Sequence, residues 1–212
     1  MELREKIIER ASELMMQFGI RTVTMDDISR DLGISKKTIY QYFKDKKELV
    51  NRITSQHLQV EEERFASTVK ESQNSVHELM LVSQCLRESM KDMKMSMLNE
   101  LHKFYPDAWI KYEDFKQGVL RDSIVRVIER GQEEGYFRKE VDPFLIATMR
   151  IEQVQSFIMM NLFPKEKYTL YKVQLQLFDH FIHGLFTEDG HKLFKEYTTT
   201  NPMQNEAFNQ KD

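Results

Sequence analysis

The 212-residue sequence has few of the residues that interrupt helices or cross-link a chain: seven glycines, four prolines and one cysteine. Because Cys85 has no partner for an intrachain disulfide, we expect a small, buried apolar side chain in a reducing compartment. No apolar run approaches the roughly 20 residues that cross a membrane. The N-terminus MELREKIIERASEL is amphipathic and of mixed charge, unlike a signal peptide. These absences favour a helical, cytoplasmic protein without membrane association.

Motifs that would indicate an enzyme are absent as well. The sequence has no P-loop, no glycine-rich dinucleotide turn and no nucleophile elbow, so we predict no catalytic residues and no cofactor. His180 and His183 have a spacing compatible with metal binding and Asp179 is adjacent, but no further cysteine or acidic cluster supplies ligands. Packed or hydrogen-bonded histidines are the favoured interpretation, and we predict no metal.

Lysine is concentrated in one short stretch. The net charge of the chain is −3, yet residues 33–47 hold five lysines and one acid. Ser35 is typical of a helix N-cap, so Lys36 and Lys37 would occupy the first two helical positions. A helix N-terminus carries about half a positive charge and prefers acids. Surface lysines without a role are one interpretation; a phosphate backbone outside this helix, attracted by both lysines, is the favoured one.

Four helices are predicted around this stretch. An apolar stripe indicates a first helix over residues 3–18. A short second helix begins at Thr24 and ends at Gly33, and Ser35 opens a third helix. Asp45, with a glutamate three residues on, opens a long fourth helix. Two short helices joined by a glycine-containing turn are typical of a helix-turn-helix, for which the first helix supplies the packing surface.

The segment IIERASELMMQFGIRTVTMDDISRDLGISKKTIYQYFKDKKELV resembles the N-terminal domain of TetR-family transcriptional regulators. The resemblance is carried by Gly19, Thr24, Ile28, Leu32, Gly33, Ile34, Ser35, Thr38, Tyr40, Tyr42, Phe43, Lys46 and Leu49. It implies an all-α fold, with an N-terminal three-helix helix-turn-helix DNA-binding domain and a C-terminal helical ligand-binding and dimerisation domain, about nine helices in total.

The resemblance also implies a DNA-binding set. Residues at places that usually meet phosphates are Thr24, Tyr40, Tyr42 and Lys46, and those on the face that usually meets base edges are Lys36, Lys37, Thr38 and Gln41; the cap Ser35 completes the set. Lysine can donate to guanine, glutamine can pair with adenine, and a threonine methyl can contact thymine. The ring of Tyr40 has a competing place in the small core. Asp26 stands where some members have a basic DNA-contacting residue, which implies that this contact is absent.

Further helices are predicted in the rest of the chain. Helices are expected at 75–91, from about Trp109 to Glu134, near 143–162 and near 166–187, followed by one short terminal helix. The passages GYFR and VDP, residues 135–138 and 141–143, resemble TetR-like C-terminal domains. The helices near 143–162 and 166–187 are too apolar for one neighbour, so we expect them to form the interface of a homodimer.

We predict three regions along the chain. Residues 1–48 form the helix-turn-helix domain, and residues 49–197 form a connecting helix with an effector-binding and dimerisation domain. Residues 198–212 are predicted to be a disordered tail, because they are polar.

The chain contains 13 methionines, which give adaptable apolar packing. The resemblance implies a pocket for a small, largely apolar effector, and the candidate lining residues are Met93, Met97, Phe104, Trp109, Tyr112, Met149 and Gln153. Each could instead be an ordinary core side chain. The predicted function is a repressor that binds a palindromic DNA operator and is released by the ligand. The alternatives are a regulator without an effector, or a helical lipid- or ligand-binding protein with a vestigial DNA-binding head.

Overall fold

The computed structural model describes residues 2–91, 96–160, 168 and 170–200. Nearly all of these residues are helical, and between them only an isolated bridge joins Phe137 to Phe186, with no strand. The all-α fold class is therefore confirmed. None of the described helices is long and apolar enough to cross a membrane.

The helices follow one another with short connections. In chain order they are α1 (Leu3–Phe18), α2 (Met25–Asp31), α3 (Lys36–Tyr42), α4 (Lys46–Glu71), α5 (Ser75–Lys91), α6 (Ser96–Phe104), α7 (Pro106–Phe115), a π-helical segment (Lys116–Leu120), α8 (Arg121–Glu133), α9 (Pro143–Met160), α10 (Leu170–Leu185) and α11 (Glu188–Thr200). Helices α7 and α8 are continuous through the π-helical segment and form the long helix predicted from about Trp109. Helix α6 was not predicted from the sequence.

The chain divides into two compact units. The first unit contains Met1–Glu61 and Asp92–Phe115, and the second contains Glu62–Lys91 and Lys116–Asp212. The first unit therefore holds α6 and α7 in addition to the helix-turn-helix, which a boundary drawn at residue 48 does not include. Helix α11 continues to Thr200, and the remainder of the predicted tail lies outside the described residues.

The core of the first unit is built from the apolar faces of the first four helices. Ile7, Ile28, Ile39 and Phe43 are fully buried in it. The second segment of this unit, which contains α6 and α7, completes the core through Leu101, Tyr105 and Ala108. A three-helix head of about 45 residues buries little apolar surface by itself, so these two helices enlarge its core.

The second unit is held together by a buried charge and a tight turn. Glu78 of α5 is fully buried and accepts hydrogen bonds from Arg126 and Arg130 of α8, at 2.7 and 2.8 Å. The ring of Phe137 packs against Gly131, where a Cβ atom would lie 2.2 Å from it, so only glycine fits there. Arg138 N then donates to Leu185 O at 2.9 Å. The GYFR passage thus joins α8 to the end of α10.

Candidate nucleic-acid interface

The helix-turn-helix has the predicted caps. Thr24 Oγ1 accepts a hydrogen bond from Asp27 N at 3.1 Å, and the Asp27 carboxylate accepts from Thr24 N and Oγ1 at 3.0 and 2.6 Å. These bonds from Thr24 lower the pKa of Asp27. Gly33 has a φ of +66°, which side chains rarely adopt, and allows the turn to reach Ser35. Ser35 Oγ accepts from Thr38 N at 3.0 Å and starts α3.

Helix α3 turns one narrow face to the core and exposes the rest. Ile39 and the following Phe43 are fully buried. Tyr40 and Tyr42 are 43 % and 37 % exposed, so the ring of Tyr40 is only partly covered by the core. Of the predicted DNA-binding set, Thr38 and Lys46 are half-buried and the others are exposed, namely Thr24, Ser35, Lys36, Lys37, Tyr40, Gln41 and Tyr42. Most of this predicted set, on α3 and the segments beside it, is therefore accessible to a ligand.

The two lysines at the start of α3 have different surroundings. Lys36 Nζ lies 2.8 and 3.0 Å from the two carboxylate oxygens of Asp26, and this hydrogen-bonded contact raises the pKa of Lys36. Lys37 is exposed and has no hydrogen bond or ion pair with the residues that the structure describes. Asp26 of α2 thus supplies a negative charge near the N-terminus of α3 and pairs with Lys36. Lys37 remains available for an anion.

The turn between α1 and α2 is held through both backbone polar groups of Arg21. Lys46 Nζ of α4 donates to Arg21 O at 3.2 Å, and Glu100 Oε2 of α6 accepts from Arg21 N at 2.7 Å. Burial lowers the pKa of Lys46. Glu100 was not identified from the sequence, and the ion pair of Asp26 with Lys36 was not predicted. Glu100 lies 79 residues from Arg21, and nothing in a local pattern predicts such a contact.

The predicted effector residues fall in two different units. Met97, Trp109 and Tyr112 pack against the core of the first unit, where the Trp109 and Tyr112 rings lie 5.2 Å apart. Phe104 is partly exposed in the same unit, beneath the guanidinium of Arg21 at 5.1 Å. These four side chains have core and surface roles in the unit that carries the helix-turn-helix. Met93 lies outside the described residues.

The other two predicted lining residues, Met149 and Gln153, border a cavity of about 240 Å³ in the second unit. Its lining comes mainly from α9 and α10 and includes Ile146, Arg150, His180 and Phe181. The cavity combines apolar walls with a small number of polar groups, as ligand sites do. Arg150 was not identified from the sequence, because burial of a single arginine in an apolar helix leaves no periodic signal.

The histidines and the cysteine have ordinary surroundings. His183 Nδ1 lies 2.8 Å from Asp179 O, and its ring lies 5.1 Å from that of His191. In the described parts of the chain, no group of three or more histidine, cysteine, aspartate or glutamate side chains is arranged to hold a metal ion. Cys85 is half-buried, less enclosed than predicted.

Comparisons with known proteins agree with this architecture. The family model for bacterial regulatory proteins of the tetR family matches residues 7–53. An uncharacterised HTH-type transcriptional regulator of Bacillus subtilis, YvaF, is 24 % identical over 189 residues, which cover 87 % of this chain and 96 % of YvaF. The HTH-type transcriptional repressor KstR2 of Mycobacterium tuberculosis is 24 % identical over 146 residues, 68 % of this chain and 73 % of KstR2.

Solved structures share the fold. The structure of the ketosteroid transcriptional regulator KstR2 has a TM-score of 0.62 at 22 % identity and covers 88 % of this chain and 96 % of KstR2. A transcriptional regulator from Saccharomonospora viridis in complex with choline has a TM-score of 0.72 at 20 % identity, covering 87 % and 98 %. The helix-turn-helix match and the relatives, which extend well beyond it, lead to the same conclusion: residues 7–53 form a helix-turn-helix domain of the TetR family, and the chain as a whole is similar to bacterial transcriptional regulators.

Proposed function

We propose that the protein is a cytoplasmic repressor that binds a palindromic operator through α3. The observation that carries this proposal is the surface of α3, which buries only Ile39 and exposes Lys37, Gln41 and both tyrosines. Lysine and glutamine are able to read guanine and adenine edges in the major groove, and the tyrosine hydroxyls can bond phosphates. The relative KstR2 is a repressor, which supports repression as the direction of control.

A homodimer supports recognition of a palindrome. On α9, Phe144, Leu145 and Met149 are 56 %, 52 % and 60 % exposed. A cluster of exposed large apolar side chains favours an interface with another molecule. We propose that α9 and α10, the described parts of the helices predicted near 143–162 and 166–187, pair with the same helices of a second copy. Two-fold symmetry would then place two α3 helices on half-sites about 10–10.5 base pairs apart, or a multiple of that spacing.

Release by a small molecule is the proposed mode of control. The walls of the cavity in the second unit resemble those of ligand-binding sites. One protein of the same fold is in complex with choline. A ligand shifts an equilibrium between DNA-binding and released forms only if it binds one of them more tightly. We propose that the effector binds the released form more tightly. Its effect on DNA binding would then be transmitted to the helix-turn-helix through the connecting helices.

Selection of genomic fragments at one defined salt concentration tests the DNA-binding proposal. The wild-type protein is expected to enrich a few fragments that share a two-fold symmetric sequence. The double variant Lys37→Ala/Gln41→Ala is expected to lose that enrichment, because both side chains belong to the exposed face of α3. Lys139→Ala, which removes an exposed lysine of the second unit, serves as the charge-matched control. Fragments no different from random DNA with the wild-type protein would contradict the proposal.

A further inference from the structure

Two cations share one aromatic ring at the end of α6. The guanidinium carbon of Arg21, in the turn between α1 and α2, lies 5.1 Å from the centroid of the Phe104 ring, and Lys103 Nζ lies 5.5 Å from the same centroid. All three side chains are exposed, and all three belong to the first unit. The face of an aromatic ring attracts a cation, so Phe104 holds the two charged groups together at the surface.

Neither cation has an anionic partner among the residues that the structure describes. Arg21 and Lys103 form no ion pair and no side-chain hydrogen bond there. The carboxylate of Glu100 is directed to the backbone, since its Oε2 accepts from Arg21 N at 2.7 Å. An aromatic ring attracts a guanidinium without accepting its N–H groups in the way that a carboxylate does. The donors of both side chains are therefore free to bind an anion, which would also relieve the repulsion between the two charges.

These two cations adjoin the surface proposed to bind DNA. Lys46 Nζ, a predicted phosphate contact, donates to Arg21 O at 3.2 Å. Thr24, another predicted phosphate contact, is the N-cap of α2 and follows Arg21 by three residues. A DNA backbone that reaches Thr24 and Lys46 would therefore pass close to the turn that carries Arg21. Because charged phosphates repeat along each strand, a further phosphate would lie near this turn.

We propose that Arg21 and Lys103, held at the ring of Phe104, bind a phosphate of the operator outside the bases that α3 reads. The fork of a guanidinium matches two phosphate oxygens, and an ammonium adds a second positive charge. Lys103 lies in α6, beyond the residues 7–53 that the family model matches. The DNA-binding surface would then include a part of the chain outside the helix-turn-helix. This inference rests on the DNA binding proposed above.

The salt dependence of DNA binding by the full-length protein tests the inference. Wild type and Arg21→Gln/Lys103→Gln are compared on a selected fragment and on the same fragment with scrambled half-sites. Loss of one phosphate contact lowers the slope of log K against log salt by about 0.9. The variant is therefore expected to have a slope smaller by about one, and to bind both fragments about tenfold more weakly or worse at the lowest salt concentration. An unchanged slope would overturn the inference.

A charge-matched variant controls for the loss of two positive charges. Lys139→Gln/Lys195→Gln removes two exposed lysines of the second unit and is expected to keep the slope and the affinity of the wild type. A slope lowered as much in this control as in Arg21→Gln/Lys103→Gln would show that net charge alone is measured, and would contradict a contact at Arg21 and Lys103.

Fragments with single neutral phosphates locate the contact. In each fragment one phosphate is replaced by a methylphosphonate, which keeps the backbone but removes the charge. The wild type is expected to lose affinity at a position outside the bases read in each half-site, and Arg21→Gln/Lys103→Gln to lose none there, because its partner side chains are gone. Identical losses for the two proteins at every position would show that neither side chain contacts a phosphate.

Conservative variants separate binding from folding. Arg21→Lys/Lys103→Arg keeps both charges and is expected to retain the wild-type slope. Phe104→Leu keeps apolar bulk but removes the ring, and is expected to weaken binding about two- to fivefold. Both double variants at Arg21 and Lys103 are expected to melt at the wild-type temperature, because the side chains are exposed. A lowered slope in the variant that keeps the charges would indicate a structural role and would contradict the proposal.

The scrambled fragment keeps this test separate from that of the proposed function. Phosphate contacts carry no sequence information, so Arg21→Gln/Lys103→Gln should lose the same factor in affinity on both fragments. A wild type that prefers the selected fragment, together with an unchanged slope in the variant, would reject the phosphate contact alone. A wild type that binds both fragments equally would reject operator recognition, while the slope would still report on the phosphate contact.

Discussion

Asp26 and Lys36 form an ion pair at the edge of the exposed face of α3, with Nζ–Oδ1 at 2.8 Å. Both side chains remain accessible to solvent, so the pair can open when a stronger anion approaches. In the proposed complex, Asp26 places a negative charge at the edge of the DNA-binding surface. The pair therefore lowers the attraction of the head for any duplex, and a specific complex must offer Lys36 a better partner than the one it has.

Asp26→Asn is expected to tighten binding to random-sequence DNA. The substitution removes one negative charge and releases Lys36, so the slope of log K against log salt should become steeper by about one. Fluorescence anisotropy with a labelled random duplex at several salt concentrations measures both quantities. Glu133→Gln removes an exposed acid of the second unit and is expected to change neither. An unchanged slope for Asp26→Asn would show that this edge of the head does not approach DNA.

The cap of α2 gives a second expectation for single residues. Thr24→Ala removes the two hydrogen bonds between the Thr24 hydroxyl and Asp27, keeps the bond from Thr24 N, and is expected to destabilise the protein by about 1 kcal/mol at pH 7. The pKa of Asp27 is lowered in the folded state, so its contribution is complete above about pH 4 and is lost as the pH falls through the lowered value. Urea unfolding should show the difference between Thr24→Ala and wild type shrinking at low pH. Thr24→Ser keeps the hydroxyl, and a similar loss in this variant would contradict the capping role.

Helices α1 to α4 could be predicted from the sequence because their signals are local. The apolar stripe of α1, the capping residues Thr24 and Ser35, and Gly33 all act within a few residues of the positions they determine. The place of α6 and α7 depends on contacts between segments far apart in the chain. The sequence also does not separate a pocket role from a core role for Trp109 and Tyr112, since apolar side chains of a core and of a pocket have the same periodicity.

The contact of α6 with the α1–α2 turn predicts a role for Glu100. Its carboxylate accepts from Arg21 N at 2.7 Å, so Glu100→Ala is expected to speed amide exchange at Arg21 and to weaken DNA binding through a looser start of α2. Hydrogen exchange measured by mass spectrometry on residues 19–25 checks the first effect. Glu100→Gln retains a side-chain acceptor and is expected to lie close to the wild type. Unaltered exchange in Glu100→Ala would mean that Lys46 alone fixes the turn.

At the scale of the whole molecule, the proposed function requires two copies of the helix-turn-helix. The exposed apolar side chains of α9 are the surface proposed for this contact, and they lie in the second unit, while α3 lies in the first. The sequence indicated this surface only as an excess of apolar residues. Which of them are covered within the subunit depends on the packing of α9 against α8 and α10, and periodicity does not give that packing.

Charge placed on the exposed face of α9 is expected to prevent dimer formation. The double variant Phe144→Glu/Leu145→Glu would bring like charges together across a two-fold axis, and desolvating them opposes association. Light scattering coupled to size exclusion is expected to give about 51 kDa for two 25.4 kDa chains, and the monomer mass for the variant. Lys139→Glu controls for added charge at an exposed site. A wild-type monomer at all concentrations would remove the basis for palindrome recognition.

The most direct test of α3 as the recognition helix is the affinity of wild-type protein and Lys37→Ala for a selected fragment and for the same fragment with scrambled half-sites, at one salt concentration. The wild type is expected to prefer the intact fragment by about 10³-fold or more, and Lys37→Ala to lose affinity for the intact fragment by about 1–3 kcal/mol. Equal affinity of the wild type for both fragments, or full retention of specific binding by Lys37→Ala, would contradict this assignment.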